Sequence, residues 1–182
     1  MPKVYAFLAD GTEETELLCV VDILRRAGID TLTVSVGGAT VTSSHGVKIT
    51  ADMTITDCAF DDADLLFVPG GMAGTQTLAA DKTLIRTIAD ALESGKRVAA
   101  ICAAPALVLA ANGFLDGKKA TCFPTFADRM SACEYLPTAR VVTDGNVTTA
   151  RGMGCSVDLG LELVKLLTDE QTAEQIKNSI QY

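Results

Sequence analysis

The chain has 182 residues, 48% of them hydrophobic, which is long enough to bury a sizeable core and too apolar for a disordered tail. Its 15 basic residues against 23 acidic ones leave a net charge of −8 with no basic cluster, so nucleic acid is excluded as an expected partner. A single histidine removes His-rich metal sites, and six cysteines without a Cys-x-x-Cys spacing remove zinc ribbons and thioredoxin-type motifs; no metal is expected.

In chain order, Val4 to Leu8 reads as a strand and Glu13 to Ala27 as a helix carrying Leu17, Val20, Val21 and Leu24 on one face. Thr12 is the expected N-cap, Glu13 and Glu14 complement the first turn, and Gly28 ends the helix. Thr31 to Val36 is a second strand, and Thr40 to Ile55, alternating and broken at Gly46, reads as an antiparallel excursion. Leu65 to Val68 is a short buried strand that stops at Pro69-Gly70-Gly71. A helix at Leu84 to Glu93, a strand at Arg97 to Ile101 and a helix at Ala103 to Ala111 follow. Strands at Val141 to Thr143 and Val147 to Ala150 flank the turn Asp144-Gly145, and helices at Cys155 to Leu167 and Glu170 to Ile180 close the chain. Alternating strands and helices with nearly all-apolar central strands predict a mainly parallel sheet covered on both faces, an α/β sandwich in one domain spanning 1–182.

The first apolar run, Val4 to Ala9, is too short for a signal-peptide core. The longest uncharged apolar stretch, Val98 to Ala111, is short for a membrane span. A cytoplasmic location with reduced thiols is therefore expected, and with it no membrane partner and no disulfide framework. The chemical question is which of Cys19, Cys58, Cys102, Cys122, Cys133 and Cys155 is special.

In sheets of this kind ligands bind outside the carboxyl ends of the strands, and three segments end strands unusually. Cys102 falls where a buried strand turns directly into a helix among Ala99, Ala100, Ala103 and Ala104. Small neighbours permit a sharp, strained turn there, and a helix N-terminus would lower the thiol pKa. The alternative is an inert buried thiol. Gly70 and Gly71 end another strand, where backbone N–H groups could approach a ligand as an oxyanion hole requires, unless this is an ordinary turn. Asp10-Gly11-Thr12-Glu13-Glu14-Thr15-Glu16 ends the first. Most of its acids are explained by capping, yet one carboxylate at the edge of the buried face could reach a strand-end thiol. At 100° per residue Glu13 lies nearest the apolar stripe with Glu14 and Glu16 flanking it, and periodicity alone does not choose among them.

Gly11-Thr12-Glu13-Glu14-Thr15-Glu16, Arg25-Arg26-Ala27-Gly28, Val68-Pro69-Gly70-Gly71, Ala100-Ile101-Cys102-Ala103-Ala104-Pro105 and Arg151-Gly152-Met153-Gly154 occur in this order. In that order and spacing they resemble the ThiJ/PfpI superfamily, in particular the branch of the parkinsonism-associated protein deglycase and the bacterial ThiJ-type proteins. The resemblance implies a flavodoxin-like three-layer α/β sandwich, a homodimer and a reactive Cys102. It places the partner carboxylate on Glu16, the oxyanion donors on the amides of Gly71 and Ala103, and an anion-holding arginine near the pocket on Arg151. His45 matches a pocket-edge position that is often Arg in the branch. Two departures stand out: Phe123 occupies a position where close relatives of the deglycase carry His, and Ala103 one where the protease-like branch does. The implied function is a cofactor-independent glyoxalase III or deglycase, with a small carbonyl substrate or a glycated protein as partner. A redox sensor or stress-protective chaperone using oxidation of Cys102 is the alternative, and Cys122 is the second thiol to watch. Peptide hydrolysis ranks low, because no His is available to protonate a leaving amine.

Overall fold

A computed structural model describes residues 1–182. The order is β1 (Lys3–Leu8), α1 (Glu14–Arg26), β2 (Asp30–Ser35), β3 (Thr40–Thr42), β4 (Lys48–Thr50), β5 (Met53–Thr54), β6 (Leu65–Val68), α2 (Met72–Ala80), α3 (Lys82–Glu93) and β7 (Arg97–Ile101). It continues with β8 (Lys119–Ala120), β9 (Glu134–Tyr135), β10 (Val141–Asp144), β11 (Val147–Ala150), α4 (Ser156–Leu167) and α5 (Glu170–Ser179). Seven strands form one sheet in the order β10-β11-β7-β6-β1-β2-β5, parallel except for β10, which runs antiparallel to β11. The expected mainly parallel α/β sandwich is the fold observed.

Period-two alternation divides the core between the faces. Val4, Ala6 and Leu8 of β1 join the cluster under α1 and α4, while Tyr5 and Phe7 join the cluster under α2 and α3. The same division separates Leu65 and Phe67 from Leu66 and Val68, and Ala99 and Ile101 from Val98 and Ala100. Burial on both sides is why these strands read as continuous apolar runs.

Several local expectations are corrected. Glu13, not Thr12, caps α1, its carboxylate accepting from the Thr15 amide at 3.3 Å. Thr12 is instead buried, its hydroxyl accepting from the Ala9 amide at 3.0 Å and fixing the β1–α1 loop. The 40–55 excursion divides: β3 and β4 form the antiparallel hairpin, but β5 joins the main sheet parallel to β2. The helix expected at Ala103 to Ala111 is a wider π-helical turn, Pro105–Leu109, followed by a tighter turn over Ala110–Asn112. Helix α2 was not anticipated, since Met72–Ala80 is dominated by small residues and carries no apolar stripe.

The site is positioned by topology. From β1 the chain adds β2 and then β5 on one side, while β6, β7 and β11 lie on the other, so the direction of growth reverses between β1 and β6. The loops after β1, β6 and β7 meet at this reversal, on the carboxyl edge of the sheet.

Candidate active site

Cys102 follows the last residue of β7 with φ +64°, one of two non-glycine residues in the left-handed region. That conformation is costly for a residue with a Cβ and persists only where neighbours over-determine it. Here the Cys102 amide donates to the Ala150 carbonyl at 2.9 Å, and its carbonyl accepts from the Phe123 amide at 2.8 Å. Both ends of the residue are therefore held while the thiol projects, half-buried, into the crevice.

Glu16 lies in the first turn of α1 and is fully buried. It stands four residues before Val20 and eight before Leu24, both fully buried, so it continues the inward row of the helix. Glu13, nearest the stripe by angle alone, lies outside the helix proper as its cap. Glu16 Oε2 accepts from the Gly70 amide at 2.8 Å, whereas Oε1 is buried with no settled partner of its own. The Gly70 N–H is thus committed to the carboxyl and is not free to serve an oxyanion.

Gly70 separates the carboxyl from the thiol by no more than its missing side chain. A methyl group placed there would run into Glu16 Oε2 and would lie 2.7 Å from Cys102 Cβ and 3.2 Å from Cys102 Sγ. Gly71, with φ +88°, is packed as closely: an added Cβ would strike the Gly11 carbonyl oxygen and the Glu13 amide. Two successive residues without side chains let the β6–α2 loop enter between β1 and β7 and bring its amides to the sulfur.

Electrostatics couple the two groups. Burial pushes the Glu16 carboxyl up to about 7, against the lowering influence of the neighbouring Cys102 thiol and the hydrogen bond from the Gly70 amide, and the charge of Glu13 adds to the rise. Burial likewise pushes the Cys102 thiol up to about 12, helped by the negative charge of the neighbouring Glu16. The amides of Ala103 and Gly71 pull in the opposite direction. The expectation that a helix N-terminus leaves a low-pKa thiol is therefore corrected: burial beside a carboxylate outweighs the amides. Protonation of Glu16 removes that neighbouring charge, so the pair titrates as one unit.

A cleft of about 350 Å³ opens onto this pair, lined by Glu13, Gly71, Met72, Ala103, Phe123, Thr125, Phe126 and Met153 as well as Cys102 and Glu16. Cys102, Glu16, Gly70, Gly71 and Ala103 are thus brought together. Arg151 and His45 are not. Arg151 is exposed in the adjoining groove with Arg140, beyond the shared wall of Phe123 and Met153. His45 is 71% exposed and bonds through Nδ1 to Glu14 at 3.0 Å and Ser44 at 3.2 Å. Its neighbour Glu14 sits at about 2: slight burial raises it, but its own amide, the hydroxyls of Ser44 and Ser43, and His45 lower it further. Glu13, Glu14 and His45 offer ligand atoms within 4.8 Å of one another, a grouping that could share a cation at the exposed rim. Cys122 is fully buried, its thiol donating to the Phe123 carbonyl at 3.3 Å and pushed up to about 11 by burial, with nearby Tyr135 lowering it slightly, as befits a structural thiol.

Sequence reasoning missed Met72, Thr125, Phe126 and Met153 as cleft residues. Met153 lay within a quoted motif, but Phe126 sits in an unanticipated 3-10 turn, Pro124–Met130, that no periodicity marks.

A family model described as DJ-1/PfpI family matches residues 2–166. Protein DJ-1 homolog B of Arabidopsis thaliana is 36% identical over 179 residues, covering 98% of this chain and 41% of that protein. Protein DJ-1 homolog A of the same plant is 35% identical, with 94% of this chain and 44% of that protein covered, so the chain spans less than half of either. A protein named a deglycase from Thermococcus kodakarensis is 30% identical, with 91% of this chain and 99% of that protein covered. The solved structure described as oxidized DJ-1 of Toxoplasma gondii superposes with a TM-score of 0.96 at 32% identity, covering 100% of this chain and 99% of that one.

Proposed function

Because the chain belongs to the DJ-1/PfpI family, we propose that it is a cofactor-independent cysteine enzyme of glyoxalase III or deglycase type, acting on small 2-oxoaldehydes or their adducts. The observation that carries this reading is a fully buried carboxyl, ionising near neutrality, placed beside a conformationally strained thiol. A general acid–base group works best with a pKa near the working pH.

In the single-anion form of the pair, the Glu16 carboxylate takes the Cys102 thiol proton as the sulfur attacks the aldehyde carbon. The S–C bond forms and the Glu16 proton passes to the aldehyde oxygen, giving a hemithioacetal, with the amides of Gly71 and Ala103 stabilising the oxyanion as it develops. The Glu16 carboxylate then removes the hydrogen from that carbon, and the electron pair moves through the adjacent carbonyl to give an enediolate. Glu16 returns the proton to the second carbon while the hydroxyl proton on the first carbon passes to the neighbouring oxygen, leaving a 2-hydroxyacyl thioester. One carbon is oxidised and its neighbour reduced, so no external redox partner is needed. Water cleaves the thioester, releasing a 2-hydroxy acid and the thiol. No step requires His, so Phe123 and Ala103 do not obstruct the route.

A sensor needs an accessible thiol of low pKa. Cys102 is half-buried beside a cleft of about 350 Å³, a size suited to a small-molecule substrate, which favours turnover over that alternative. The reading includes a homodimer: Leu18 of α1 and Val47 at the β3–β4 turn are left 42% and 46% exposed, and light scattering should return twice the chain mass.

The test is methylglyoxal consumption with stoichiometric lactate. Wild type should turn over repeatedly, and Cys102→Ala should fall to the uncatalysed background. Turnover that survives Cys102→Ala would remove the enzyme reading as stated.

A further inference from the structure

Resting on the reading of Cys102 and Glu16 as a 2-oxoaldehyde site, we propose that the cleft selects uncharged 2-oxoaldehydes bearing an aryl or branched-alkyl group. They are preferred over methylglyoxal and over anionic carbonyls, and Phe123 and Met153 set that preference. Three facts converge on it. Of the seven large apolar side chains most exposed in the chain, three surround this one cleft: Met72 at 53%, Phe123 at 42% and Met153 at 53%. Large apolar groups gathered at one concave place mark a binding surface, whereas scattered ones do not. Phe126 supplies a fourth apolar wall.

Charge makes the second argument. No Lys, Arg or His lines the cleft, and its two ionisable groups apart from the thiol are the carboxyls of Glu13 and Glu16. Arg151 lies outside, past the Phe123–Met153 wall, so an anionic substituent in the cleft would face carboxylates with no cation beside it.

Size and polarity supply the third. The volume of about 350 Å³ far exceeds what methylglyoxal fills. Apart from the Thr125 hydroxyl, the lining groups able to donate to a carbonyl cluster around Cys102, at the amides of Gly71 and Ala103. The reacting end is therefore fixed at the sulfur and the substituent must lie along Met72, Phe123 and Met153. Polarizable thioethers beside an aromatic ring suit aryl groups in particular.

The test has two arms. The first compares kcat/KM for phenylglyoxal and methylglyoxal; wild type should favour phenylglyoxal on the order of ten-fold or more, and Phe123→Ala with Met153→Ala should bring the ratio close to unity. Both side chains are about half exposed, so these truncations leave the core intact.

The second arm needs no turnover: alkylation of Cys102 by N-benzyl iodoacetamide, iodoacetamide and iodoacetate, located by peptide mass and normalised to the same reagents acting on N-acetylcysteine. The benzyl reagent should be favoured on the order of ten-fold over iodoacetamide, and iodoacetate disfavoured by a similar factor. Equal normalised rates, or a benzyl preference unchanged in the double variant, overturn the proposal. Absent turnover with the alkylation order intact removes the enzyme reading and leaves the cleft's selectivity standing.

Discussion

Gly71→Ala is expected to destabilise the protein by about 4 kcal/mol, a large share of the ~5–15 kcal/mol that holds a typical domain together. Two costs combine. At φ +88° a residue with a Cβ carries roughly 1–2 kcal/mol of backbone strain. The new methyl group would also overlap the Gly11 carbonyl oxygen and the Glu13 amide and lie 2.8 Å from the Thr12 carbonyl carbon. These are backbone atoms of the loop pinned by buried Thr12, so no side-chain rotation relieves them, and overpacking adds ~1–3 kcal/mol. Urea unfolding would read the loss as a lower midpoint at unchanged slope. Gly70→Ala provides the contrast, because Gly70 has no positive φ, and its methyl group meets the movable Glu16 carboxyl end as well as Cys102 Cβ at 2.7 Å, which the backbone holds in place. Its fold should escape the φ strain but not the overpacking, and the thiol–carboxyl pair is dismantled. Equal stability of Gly71→Ala and wild type would mean the loop does not approach as closely as described.

Glu16→Gln should produce two opposite effects, lower activity and higher stability in alkaline buffer. In the folded chain Glu16 ionises at about 7, above the carboxylate value of 4.5, so the native state holds its proton to higher pH than the unfolded state does. The stability this group contributes is fully present below about 4.5 and is lost as pH rises through about 7. At pH 8 the ionised, fully buried carboxyl costs the fold about 3 kcal/mol relative to its protonated form. Glutamine keeps an oxygen for the Gly70 amide and never ionises. The variant should gain about 3 kcal/mol on wild type between pH 4.5 and pH 8, as denaturation at each pH would show. Turnover should fall by roughly 10²–10⁴-fold with the loss of the proton shuttle. A stability difference flat with pH would mean Glu16 ionises as an ordinary carboxylate.

The parts legible in the sequence were those governed by periodicity and by chain punctuation. The apolar runs of β1, β6 and β7 announced strands buried on both faces, and the strand-end positions of Cys102 and of Gly70-Gly71 announced the crevice. The identity of the buried acid was not legible from spacing, because Glu13 lies closer to the stripe in an ideal helix. What decides is where the helix begins: the Glu13 carboxylate turns back to cap α1, and Glu16 opens the inward row. The resemblance placed the acid on Glu16, and the structure puts a buried carboxyl there. The state of the thiol was missed for another reason. A helix-terminus argument counts local amides and omits burial, which here comes from β6, α1 and β7 meeting across long sequence separations. The cleft walls at Phe126 and Met153 sit in short irregular segments whose positions depend on tertiary packing and leave no repeat to read.

The central claim is that Glu16 and Cys102 ionise as one pair, and the pH profile of Cys102 alkylation by iodoacetamide, with the modified peptide quantified by mass, tests it most directly. Wild type should show a rate that rises through about pH 7 and then levels, because loss of the Glu16 proton creates the carboxylate that takes the thiol proton as the sulfur is alkylated. Glu16→Gln should move that rise above pH ~8.5, since burial of the thiol persists without the partner acid. A wild-type rate climbing without a break near 7, and a Glu16→Gln profile superimposable on it, would contradict the account.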